Sequence, residues 1–162
     1  MARFEVRGIE EYVQKLQALD KHTRDRVIGK SIYNGAGILA DAVREGIEAL
    51  PVGKTDEKGA LREKLNGPEK DGLRDGFGIT RMTEKNGFIN VKVGWEGYNR
   101  IRTKKYPKGQ PNAMIARSIN HGTSRRKKIR FLDNAYFRTK KKVTEVMSKT
   151  CDAEIEKIMK GS

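Results

Sequence analysis

The chain has one cysteine, one tryptophan, two histidines and four prolines in 162 residues. A lone Cys151 excludes an intramolecular disulfide and cannot by itself build a zinc cage. Long apolar stretches are missing too. The longest uncharged run, Ser31 to Ala40, falls far short of the roughly 20 residues that span a bilayer. The opening residues, MARFEVRG, hold no apolar segment of the secretory type. Synthesis in a reducing cytoplasm and no membrane partner are therefore expected. Leu, Ile, Val and Phe make up only about a fifth of the chain, near the level at which high net charge leaves a chain disordered. The length suits a single domain, 1–162, with a sizeable core, and the composition predicts substantial mobile loops within it.

What the chain has in excess is positive charge, 35 Lys and Arg against 21 acids, net +14. The excess is clustered. Residues 100–108 (RIRTKKYPK) carry five basic residues and no acid, and residues 123–142 carry nine basic residues against Asp133 alone. These two segments hold nearly all of the net charge. A clustered positive surface suits a polyanion, either nucleic acid or an acidic protein face.

Periodicity predicts the elements. Residues 2–6 read as a short strand and 9–20 as a helix. A longer helix over about 22–49 carries a stripe of Ile28, Ile32, Ala36, Leu39, Val43, Ile47 and Leu50, and Pro51 stops it. Gly35 and Gly37 inside it cost about 1 kcal/mol each relative to Ala, which close helix packing would explain. Residues 52–71 mix acids and bases with no apolar period and read as an exposed loop. Residues 77–82 and 87–95 read as a hairpin turning at Asn86-Gly87, with Ile89, Val91, Val93 and Trp95 on its apolar face. A second, basic loop covers 96–112, a short helix 112–121, a basic turn follows, and a last helix runs over about 132–160. The fold class is α+β. A small antiparallel sheet packs against a long helix from the N-terminal half and a long C-terminal helix, with mobile loops at about 52–71 and 96–112.

Several sharper chemical readings fail on context. Gly53-Lys54-Thr55 ends like a phosphate-binding loop, but it follows a helix and lacks the earlier glycine. His121 beside Arg125 and Arg126 has the parts of a nuclease site but no partner acid in the turn, so it reads as an ordinary turn residue. His22 reads as a surface residue near the start of the long helix. Glu69, Asp71 and Asp75 lack the spacing of a metal cage and read as solvated loop charge. Trp95 near a basic loop could stack on bases, but it faces the way of Val91 and Val93 and reads as core. Tyr98 is open between these readings. No metal or cofactor is expected. The basic turn Arg125, Arg126, Lys127, Lys128 and Arg130 is different, because five cations in six residues repel one another unless an anion lies nearby.

The run GLRDGFGITRMTEKNGFINVKVGW at 72–95 carries a resemblance. Around it come Leu50-Pro51 at the end of a long helix, Gly72-Leu73-Arg74-Asp75 before a strand, and Val93-Gly94 at the end of one. His121-Gly122-Thr123 follows, then a basic turn reaching Phe131-Leu132, then Ala135 early in the last helix. Taken in order over roughly the whole chain, these resemble the neck, head–tail joining or tail-completion proteins of long-tailed bacteriophages, the family similar to the minor tail protein Z of phage lambda. The chain departs from that pattern where His121 replaces a common Glu and Arg130 a common Pro.

The resemblance implies a non-enzymatic virion structural protein without cofactors, a tail component that assembles as a ring, six-fold, around the DNA channel. Its implied partners are itself, head-completion and tail-tube or tail-terminator proteins, and genomic DNA contacted without sequence readout. Its implied location is the virion neck, with the host cytoplasm before assembly. Gly72, Leu73, Gly94, Gly122, Thr123, Phe131 and Ala135 are the motif positions expected to serve structure. Arg100, Arg102, Lys104, Lys105, Arg125, Arg126, Lys127, Lys128 and Arg130 are the residues expected to contact DNA or a partner. The alternatives are a stand-alone basic nucleic-acid-binding protein and a small ribonuclease.

Overall fold

The computed structural model describes residues 17, 19–54 and 60–161. The expected strand at 2–6 and most of the expected helix at 9–20 lie outside the described residues. Within them the order is α1 (Lys21–Glu48), α2 (Gly67–Asp75), β1 (Phe77–Ile79), β2 (Thr83–Lys85), β3 (Phe88–Asn90), β4 (Val93–Trp95), α3 (Asn112–His121) and α4 (Phe131–Lys160). The α+β class holds, with one long helix in the N-terminal half and one at the C-terminal end.

Helices α1 and α4 form the spine, and they pack antiparallel. Ser31 and Gly35 lie at Met147, whereas Gly46 lies at Phe131. The buried row of α4 is Phe131, Ala135, Thr139, Val143, Met147 and Cys151, four residues apart throughout. The facing row of α1 steps the same way through Val27, Ser31, Gly35, Leu39, Val43 and Ile47. Rows of this type are the ridges by which helices interdigitate. This corrects the expected stripe, because Ile28, Ile32 and Ala36 are only partly buried. Hydropathy selects the larger apolar neighbours. Packing selects Ser31, whose hydroxyl donates to the Met147 carbonyl at 2.5 Å, and Gly35, where a Cβ would stand 2.6 Å from Met147 Cγ. Close packing thus accounts for Gly35. It does not account for Gly37, around which nothing lies within 4 Å of a Cβ position.

The hairpin is one ribbon in two ladders. Phe77 pairs with Trp95 and Ile79 with Val93, while Thr83 pairs with Asn90 and Lys85 with Phe88. Between the ladders Thr80 bonds Lys92, so Arg81 and Met82 together oppose Val91. One extra residue in one strand is a β-bulge, which bends the strand and increases its twist. Met82 sits against Gly29 of α1. Asn86 (φ 54°) and Gly87 (φ 77°) make the expected two-residue turn, since two left-handed residues match the twist of the arms. Trp95 is partly buried and packs against the core, as expected. Its indole N–H donates to the Leu73 carbonyl at 2.8 Å, and its ring lies 4.9 Å from Phe77 and 6.0 Å from Phe131.

Both expected loops carry internal structure. In the first, Leu65 is fully buried, Val52 bridges Leu65 and Arg62 bridges Arg126. Its last part is helix α2, which the lack of apolar period concealed. The available signal was Asn66-Gly-Pro-Glu69, where Asn66 caps the Glu69 N–H and the Glu69 carboxylate accepts the Asn66 N–H, with proline in the first turn. In the second loop, Asn99 Oδ1 accepts the N–H groups of Ile101 and Gln110, and Tyr98 bridges Pro111. Gly109 (φ 111°) lies directly on the Asn99 carbonyl, a position that admits no side chain.

Candidate functional site

The basic turn is where the clustered charge meets the scaffold. Thr123 and Arg126 exchange backbone bonds at 2.9 and 3.2 Å, and the Thr123 hydroxyl accepts the Arg125 N–H at 3.2 Å. Gly122 enters this turn at φ 74°, with the Lys128 Cβ 3.1 Å from where its own would be. Beside the turn lies the strand-like segment around Arg62. The Arg62 N–H donates to the Arg125 carbonyl at 3.0 Å, and its carbonyl accepts from Lys127 at 2.9 Å.

Two of the five cations in the turn find their anion within the chain. Arg126 is 7% exposed, and one of its amines donates to Glu69 Oε1 at 2.6 Å. Arg62 grips the same carboxylate through both amines, at 2.7 and 3.3 Å. Glu69, itself 2% exposed, thereby joins α2, the segment before it and the turn. Lys127 pairs with Glu63, and the hydrogen bond from Lys127 holds the Glu63 carboxyl below its ordinary value. Arg126 therefore leaves the set of partner-contacting residues, and Lys127 is partly neutralised. Arg125, Lys128 and Arg130 are exposed, as are Arg100, Arg102, Lys104 and Lys105 on the second loop. Lys105 lies 5.6 Å from the Tyr106 ring centroid. Tyr98 is 59% exposed at the same loop.

The motif residues take structural positions. A Cβ on Gly72 would collide with the Asn112 side chain and stand 2.8 Å from Asn99 Cβ, so glycine lets α2 close on both. Leu73 is fully buried, and Phe131 and Ala135 are 6% and 3% exposed. Gly94 faces Gly78 across the ladder. One supporting residue escaped the sequence reading. Asn120, 1% exposed, accepts the Leu132 and Asp133 N–H groups at 3.0 and 3.3 Å and donates to Asp133 at 2.9 Å. It caps α4 from α3, so no local pattern could reveal it.

The weaker chemical readings are placed as well. His121 is exposed at the end of α3, and Arg126, one of the cations read beside it, is held on Glu69. The Gly53 N–H donates to the Leu65 carbonyl at 2.9 Å and is not directed at a ligand. Glu69 is occupied by two guanidiniums, while Asp71 and Asp75 are exposed on α2. Among the described residues, no helix is long and apolar enough to cross a membrane. No family model, curated protein or solved structure matches the chain.

Proposed function

We propose that the protein is a structural subunit of a bacteriophage neck, joining head to tail or completing the tail as a ring around the DNA channel. One observation carries this reading. The residues on which the family resemblance rests are the ones that hold the fold together, while the cations between them, Arg126 excepted, stand outward. Leu73, Phe131 and Ala135 are buried in the core, Gly72 is buried against Asn99 and Asn112, and Gly122 and Thr123 shape the turn. A resemblance made of such positions describes a scaffold, and a scaffold is what a ring subunit shares with its relatives. The exposed Arg100, Arg102, Lys104, Lys105, Arg125, Lys128 and Arg130 then face DNA in the lumen or an acidic face on the adjoining ring. The work of such a subunit is mechanical. It closes the head side, seats the tail and leaves a channel.

The test is mass and shape in solution, by light scattering with negative-stain imaging at low and moderate salt, alone and with duplex DNA added. A closed ring with a central opening is the expected result. A chain that stays monomeric under every one of these conditions overturns the reading and favours the alternative, a stand-alone basic nucleic-acid-binding protein.

A further inference from the structure

The first three turns of α4 present an exposed surface that does not pack on α1. At 3.6 residues per turn, Arg130, Asn134, Phe137 and Lys141 fall on one line of the helix, opposite the row packed on α1. All four are exposed. Phe137 is 63% exposed, a large apolar ring at the centre of this face. Arg138 lies to one side of it and Lys140 to the other, with the Lys140 ammonium 5.6 Å from the ring centroid. Arg138 meets Glu45 at 2.7 Å on the surface. For Arg130, Lys140, Lys141 and Lys142 no ion pair is found among the described residues. Asp133 is turned to Asn120, and Glu145 closes the stretch.

We infer that this face of α4 binds double-stranded DNA, its cations on the phosphates and Phe137 toward the groove. A second copy of the chain is a poor occupant. It would have to meet this basic face with acids, and Asp41, Glu45, Glu48, Glu63, Glu69 and Glu154 are each already in an ion pair. A single strand is a poor occupant too, because such strands are held in grooves that track the backbone, whereas this face is the convex outside of a helix. A duplex fits the shape. A helix with side chains is about 10–12 Å across, and the major groove is about 12 Å wide. From Arg130 to Lys142 the helix rises about 18 Å, the length over which one DNA strand presents about five phosphates. Cations on both flanks of Phe137 reach both walls of the groove, and the ring meets apolar base edges such as thymine methyls.

This inference rests on the exposed face alone and not on the neck reading. A ring that ignores duplex DNA defeats only the inference, and duplex binding by a chain that never forms rings defeats only the neck.

The experiment is fluorescence anisotropy of a labelled random-sequence duplex with the full chain at two salt concentrations. The variant Lys140→Gln/Lys141→Gln/Lys142→Gln is compared with Lys54→Gln/Lys85→Gln/Lys92→Gln, which removes the same charge from surface outside every basic segment named above. All six side chains are exposed, and unchanged circular dichroism and melting confirm that both variants fold. The α4 variant is expected to bind at least about tenfold more weakly, with a log–log salt slope shallower by about 2 to 3, the value for that many lost phosphate contacts. The control variant is expected to stay within about threefold of the native chain, since its lysines lie off the proposed contact. Phe137→Ala is expected to weaken binding several-fold while leaving the salt slope unchanged. Equal weakening by both triple variants, no duplex binding at the lower salt, or tighter binding to a single strand or to polyglutamate overturns the inference. Native affinity in Phe137→Ala overturns the placement of the helix in the groove.

Discussion

Arg126 and Lys141 belong to one basic stretch of the sequence, yet the molecule treats them oppositely. Arg126 is buried on Glu69, with Arg62 completing the grip. Lys141 stands on the far side of α4 from the core, exposed beside Phe137. The two lie in different dielectric surroundings, and that decides what each can do. A buried charge survives only when paired and hydrogen-bonded, so its effect is on the fold. An exposed charge adds little to stability but shapes the field that an approaching polyanion meets. Equal charge along the sequence therefore divides into cations that tie elements together and cations that remain for a partner.

Removing the shared anion is the sharpest way to break this contrast. Glu69→Ala leaves Arg126 buried without its counter-charge and frees Arg62, and it is expected to cost about 3–5 kcal/mol, the usual loss when a buried pair is broken. Urea unfolding checks this. The loss should exceed that of the Lys140–Lys142 glutamine variant, whose three changes should each stay within about 0.5 kcal/mol. If the two variants prove equally stable, the division between buried and free cations fails.

The same contrast runs along α1 between its two glycines. Gly35→Ala places a Cβ against Met147 and Val143 and should cost about 1–3 kcal/mol by overpacking. Gly37→Ala enters open space and should stabilise by up to about 1 kcal/mol through helix propensity. Opposite shifts in melting temperature are the expected result, and shifts of one sign would refute the packing assigned to Gly35.

The smallest effect belongs to the surface pairs. Glu48, Glu63 and Glu154 are held below their ordinary value of 4.5, chiefly by hydrogen bonds from Arg74, Lys127 and Lys30 respectively. Their folded values are lowered, so any stabilisation they give is present above that ordinary value and is lost as pH falls below it through the folded values. Melting followed downward from pH 6 should show a shallow loss that added salt removes, because exposed pairs are screened. A loss that salt leaves intact would mean a buried carboxylate governs it.

The legibility of the molecule follows the same physics. Long helices, the Asn86-Gly87 turn and the half-buried face ending in Trp95 depend on local spacing and backbone preference, and they could be read directly. The buried row of α1 could not, because two of its members are Ser31 and Gly35, chosen by what Met147 needs and not by their own hydropathy. The first part of helix α2 falls in the stretch expected as loop, because its residues of mixed charge show no period. Its cap at Asn66 and Glu69 was the one local sign. At the candidate site, the exposed cations of the second loop were legible as a cluster, but the burial of Arg126 depended on Glu69, far off in the chain.

By itself, the sequence determined the α+β class, the two spine helices, the hairpin and the excess of positive charge, since each follows from the order of neighbouring residues. The tertiary structure alone decided which cations are free. It also decided that Asn120 caps α4, that Lys70 caps the end of α1 through the Glu48 and Leu50 carbonyls, and that Phe137 stands outward among lysines. Those outcomes depend on which groups meet across the fold and on how far each pair is removed from water, and a linear pattern carries neither quantity.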